Sequence, residues 1–147
     1  MERRSLLGAL FLATQIVMAQ SQPLPGPRTR AEQRLAVIAK KYASCDEFSA
    51  EGLRFKCIEE TLKAYENEVA HLNAEVKSNL CPEMAKSFES TVRTWSTYYQ
   101  TKKNHIGHLN DCQGTLALYT TYSALVQLAA SRCSYLSSQL SDFRKGS

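Results

Sequence analysis

The sequence predicts an all-α protein: an up-and-down bundle of about four helices, stapled by disulfides. Three observations carry this expectation. Apolar residues recur at alternating steps of three and four along two long stretches, the spacing of a single helix face. No stretch alternates apolar and polar residues between turn signals, as a half-buried strand would. Finally, all of the cysteines (Cys45, Cys57, Cys81, Cys112 and Cys133) lie downstream of a segment that reads as a secretory leader.

That leader is "MERRSLLGALFLATQIVMAQ". Arg3 and Arg4 precede an apolar run from Leu6 to Ala19, and Val17-Met18-Ala19 suits cleavage after Ala19. The run is shorter than the roughly 20 apolar residues of a membrane span, and no second run follows. The expectation is therefore a secreted, extracellular protein without a transmembrane span. Residues 1–19 are read as signal peptide, 20–27 as an extended proline-rich tail, and 28–147 as a single helical domain.

The tail, "QSQPLPGP", cannot continue a helix. Beyond it, Leu35, Ile38, Ala39 and Tyr42 predict a short amphipathic helix over 29–43. "SCDEFSAEG" interrupts it, with Asp46 and Ser49 as N-cap candidates for the next helix. Phe55, Ile58, Leu62, Tyr65, Val69, Leu72 and Val76 then form a heptad-like seam that ends near Lys77. Pro82 and Glu83 suit a helix start. Met84, Phe88, Val92, Trp95 and Tyr99 share one face of this third helix, which is expected to end near Lys103 or Asn104.

The stretch "NHIGHLNDC", residues 104–112, raises the question of a metal site. It offers His105, His108 and Asp111. The two histidines are three residues apart with no intervening glutamate, unlike the helical zinc motif with its i, i+4 pair. Gly107 permits a turn, Asn110 and Asp111 suit an N-cap, and Cys112 suits a staple, so the stretch is read as a turn. A fourth helix over 111–144 follows, with Tyr119, Tyr122, Val126, Ala129, Cys133, Leu136, Leu140 and Phe143 on its seam.

If helices three and four form a hairpin about 106–107, Cys81 faces Cys133, and that pair is the expected disulfide. Cys57–Cys112 is the second expected pair, with Cys45–Cys112 and Cys45–Cys57 as alternatives. Cys45 is left unpaired, or bridges two chains as a disulfide-linked homodimer. The fourth helix, about 50 Å long against about 33 Å for the third, overhangs its neighbour. Leu136, Leu140 and Phe143 then either meet the first helix or form an exposed stripe that a partner covers.

The formal net charge is +4, falling to about +3 with the leader removed. Lys and Arg are interleaved with Glu rather than gathered into a stripe, which argues against nucleic-acid binding. "RTWSTYYQTKKN" mixes aromatic and basic residues, but Trp95 and Tyr99 fall on the core face and only Tyr98 lies clearly off it. No nucleophile elbow or phosphate loop is present, and Glu59 and Glu60 point to different sides of a helix. The chain is read as a non-enzyme without cofactor or metal. Two function classes remain: an extracellular interaction protein that binds a protein or receptor, and a carrier of an apolar ligand between its helices.

Overall fold

The computed structural model describes the backbone of residues 29–145 and the side chains of 29–106 and 118–144. The leader and the proline-rich tail lie outside this range. Three α-helices follow in order: α1 (Arg30–Ser44), α2 (Glu51–Ser78) and α3 (Pro82–Lys145), with a single 3-10 turn, Cys45–Glu47, between the first two. There is no strand among the described residues.

Helix α1 begins where the proline-rich segment ends because Thr29 caps it. The Thr29 hydroxyl accepts from the Glu32 amide at 3.1 Å, and the Glu32 carboxylate accepts from the Thr29 amide at 2.6 Å. The entry to α2 differs from expectation. Its cap is Ala50, without a side-chain bond, and Asp46 instead accepts a hydrogen bond from the Tyr119 hydroxyl at 2.8 Å.

Helix α3 is helical along all of its 64 residues, yet it cannot be straight. The Arg132 guanidinium lies 5.5 Å from the Trp95 ring, whereas a straight helix would separate those residues by about 55 Å. The direction of packing gives the same answer. Lys77 pairs with Glu89, and Glu66 with Tyr99 and Lys103, so the first arm of α3 runs antiparallel to α2. Phe55 meets Tyr122, and the Tyr65 carbonyl meets Cys133, so the second arm runs parallel to it. The axis therefore folds back between Ile106 and Leu118, in a stretch that holds Gly107 and Gly114; glycine is among the usual causes of sharp helix bends. With α1 antiparallel to α2 through Arg34–Glu68 and Lys41–Glu60, the molecule is an up-and-down bundle of four helical segments.

The core follows the two long seams. On α2, Ile58, Leu62, Tyr65, Val69, Leu72 and Val76 are buried, and Phe55 is half-buried with its edge against Tyr122, 5.0 Å between centroids. On the second arm, Leu125, Val126, Ala129, Cys133, Leu136 and Leu140 are buried. Helix α1 lies on this pair with Leu35, Ile38 and Tyr42 half-buried. Arg34 fixes it there, its Nε donating to both Glu68 oxygens at 2.9 and 3.1 Å. The first arm of α3 is the shallowest layer. Tyr99 and Ile106 are buried, Phe88, Val92 and Trp95 half-buried, and Met84, expected on the inner face, is exposed.

Candidate functional site

The cysteines depart from the expected pairing. Cys45 and Cys57 form the disulfide, with an S–S distance of 2.06 Å and Cα atoms 5.5 Å apart. Cys45 is thus not the unpaired residue, and Cys57 does not pair with Cys112, whose side chain lies outside the described residues. Cys81 and Cys133 are both free. The reason is register. Arg132 lies level with Trp95, so the reversal falls several residues beyond 106–107 and Cys81 sits about 20 Å along the axis from Cys133. Bridged Cα atoms stand about 5 to 7 Å apart.

The same shift removes the overhang. The second arm has a neighbour along its length, so Leu136 and Leu140 are core and Phe143 is half-buried against it. These three residues are not a partner face.

The two free thiols among the described residues differ in character. Cys133 is wholly buried, and burial, with the nearby Glu68 carboxylate, pushes its thiol up to about 12. Cys81 is exposed at the α2–α3 turn. In the native protein at pH 8, a maleimide is expected to label Cys81 within minutes and to spare Cys133 until denaturant is added. Peptide mass mapping of the alkylated protein checks this, and labelling of native Cys133 would contradict its placement.

Several hydroxyls are held protonated as well. Burial raises Tyr99, helped by its 2.8 Å bond to the Glu66 carboxylate, and burial raises Tyr65. The bond to Asp46 raises Tyr119. For these groups and Cys133 the folded-state pKa exceeds the unfolded one. The stability they carry is whole below the unfolded values, about pH 9 for the thiol and about pH 10 for the phenols. It is lost as pH rises toward the folded values. A Tm that is level up to about pH 9 and falls progressively by pH 12 is the expected profile in a calorimetric series.

Among the described residues, no group of three or more His, Cys, Asp and Glu side chains could hold a metal. His105 is exposed, and the side chains of His108 and Asp111 lie outside the description. The stretch read as a turn is helical in its backbone and lies where α3 folds back. No helix among the described residues is long and apolar enough to cross a membrane.

The surface feature with the most chemistry is a groove between α2 and the first arm of α3. Two adjoining clefts of about 330 and 290 Å³ share Asn73 and Val92. The α2 wall is low because Ala70 and Ala74 are small and solvent-exposed; the opposite wall carries Phe88, Val92, Trp95 and Tyr99. Trp95 stacks on Tyr99, centroids 4.9 Å apart and planes 14° from parallel. Arg132, on the second arm, approaches Trp95 without lining either cleft. Its guanidinium lies 5.5 Å from the Trp95 ring and 5.3 Å from the Tyr135 ring. One Nη donates to Asn73 Oδ1 at 3.5 Å, and the buried Nε–H has no partner. Burial lowers the Arg132 pKa, and no carboxylate among the described residues pairs with it.

Sequence reasoning found Trp95 and Tyr99 but missed Ala70, Asn73 and Ala74. Comparison with known proteins adds nothing here: no family model, curated protein or solved structure matches the chain.

Proposed function

We propose that the protein is a secreted, disulfide-stabilised helical interaction protein, of the kind that serves as an extracellular signal, venom component or host-directed effector, and that it acts without catalysis by binding a protein partner. The observation that supports this reading is the groove, whose lining includes Arg93, Trp95 and Tyr99. Trp, Tyr and Arg are the residue types that dominate binding energy at protein interfaces. The carrier reading needs an apolar space between the helices. Instead the centre of the bundle is filled by Ile58, Leu72, Val126, Ala129 and Leu136, each 1% exposed or less. Of the exposed residues, Cys81 is the thiol suited to a bridge between two copies.

The test uses full-length protein recovered from the medium of a eukaryotic host. Native mass spectrometry is expected to show the polypeptide without a bound lipid. Fluorescently labelled protein should bind saturably to a protein component of a target cell surface or extracellular matrix. Ala70→Arg, a change at an exposed position, should weaken that binding at least tenfold. Retention of a lipid mass together with no protein-dependent binding would replace this reading with the carrier.

A further inference from the structure

We propose that the chain's own proline-rich segment, residues 20–28, folds back into a second groove, between α1 and the second arm of α3. This groove encloses about 430 Å³. Ala36 and Ala39 stand on one wall, Ala130, Ser134 and Ser138 on the other, and Tyr65 closes the floor. Side chains this small leave an open trough between the two helices, although both pack on α2.

The chain enters α1 at the mouth of this trough. Helix α1 runs antiparallel to the second arm, so Glu32 lies at the Ser138 end and Ala39 at the Ala130 end. Thr29 caps α1 just before Glu32, which delivers the preceding residues to the Glu32–Ser138 end. From Glu32 to Ala39 the trough is about 10 Å long. Residues 20–28 reach about 28 Å in the polyproline conformation. After a reversal at Gly26-Pro27, a turn-forming pair, enough chain is left to follow the whole trough. Such a short tether also gives the segment a high effective concentration at the site.

The chemistry of the two surfaces matches. Residues 20–27 carry no charged side chain, and Glu32 is the one charged residue among those that line the trough. Its carboxylate already accepts from the Thr29 amide. The Ser134 and Ser138 hydroxyls donate to the Ala130 and Tyr135 carbonyls at 3.1 and 2.7 Å. The trough therefore suits an occupant that brings apolar surface and few donors. Pro23, Pro25 and Pro27 have no amide hydrogen to leave unpaired. Leu24, the one large apolar side chain of the segment, suits the room that Ala36, Ala39 and Ala130 leave beside Tyr65. A charged partner helix would gain no new ion pair here.

The test uses full-length protein secreted by a eukaryotic host fed the diazirine analogue of leucine, which nearly keeps the shape of the natural side chain. After irradiation in dilute solution, peptide mass mapping is expected to place Leu24 adducts within one chain, on residues 35–39 and 130–138. Ala39→Arg, a change at an exposed position that fills the trough, should cut their yield about tenfold or more with the circular dichroism spectrum unchanged. Should that variant lose helicity, the wild-type map decides alone. Absence of Leu24 adducts, adducts on other surfaces, or a yield that a folded Ala39→Arg leaves intact would overturn the proposal. Adducts between chains, seen as a dimer that resists reductant, would overturn it in favour of the same segment from a second copy. A secreted chain that starts beyond Leu24 would overturn it by removing the occupant.

Discussion

Leu136→Ala is expected to lower the unfolding free energy by about 3 to 4 kcal/mol, read from urea denaturation at constant m-value. Leu136 is wholly buried on the second arm of α3, in the same core cluster as the α2 seam residues Leu72 and Val76. Truncation removes its transfer free energy and leaves a cavity among helices that cannot all close upon it. Met84→Ala is the control. Met84 is 57% exposed, so its loss should cost no more than about 0.5 kcal/mol. The pair also separates two pictures of the C-terminal seam. A Leu136 waiting for a partner would tolerate alanine in the isolated protein, whereas a core Leu136 would not.

Replacing both Cys45 and Cys57 by serine is expected to destabilise the protein by about 3 kcal/mol, a fall in Tm of about 10 °C. The bridge closes a short loop, with a sequence separation of 12, so the loop-entropy contribution lies in the lower part of the usual range. Its position adds to the effect. Both cysteines are buried where α1 turns back onto α2, and serine hydroxyls there would need partners beyond the Lys41 carbonyl and Thr61 hydroxyl that now face the sulfurs. A reducing agent should bring the wild-type protein most of the way to the Tm of the double variant. Equal Tm with and without reductant would mean that Cys45 and Cys57 are not joined. Cys81→Ser should leave Tm unchanged, because the thiol is exposed and bonded to nothing.

The seams of α2 and of the second arm were legible because both are long and packed on one side. Six of the seven α2 positions read from period alone are buried. The cap at Thr29 was a capping box in plain sequence, one residue from the expected start of α1. What period could not supply was the register of the last hairpin. Gly107, Asn110, Asp111 and Gly114 all carry turn chemistry, and a helix can pass through any of them. The expected reversal at Gly107 is about two turns early by the level of Arg132 and Trp95. One displacement of that size undid both the Cys81–Cys133 pair and the overhang at Leu136, Leu140 and Phe143, since each was computed from it. The Cys45–Cys57 bond needs only the short corner between α1 and α2. The groove was illegible for a different reason. Ala70, Asn73 and Ala74 look like an ordinary solvated helix face until the first arm of α3 is laid beside them.

Because the fold-back in α3 brings residues 125–140 against α2, six of the 17 buried apolar residues among those described are synthesised after α1, α2 and the first arm of α3. Until that segment has emerged, Leu72 and Val76 have no complete covering, and the α1–α2 corner cannot bury its seam alone. Until residues 125–140 have emerged, the nascent polypeptide is an incompletely covered amphipathic hairpin. Truncations that end before residue 125 should therefore lack a cooperative thermal transition.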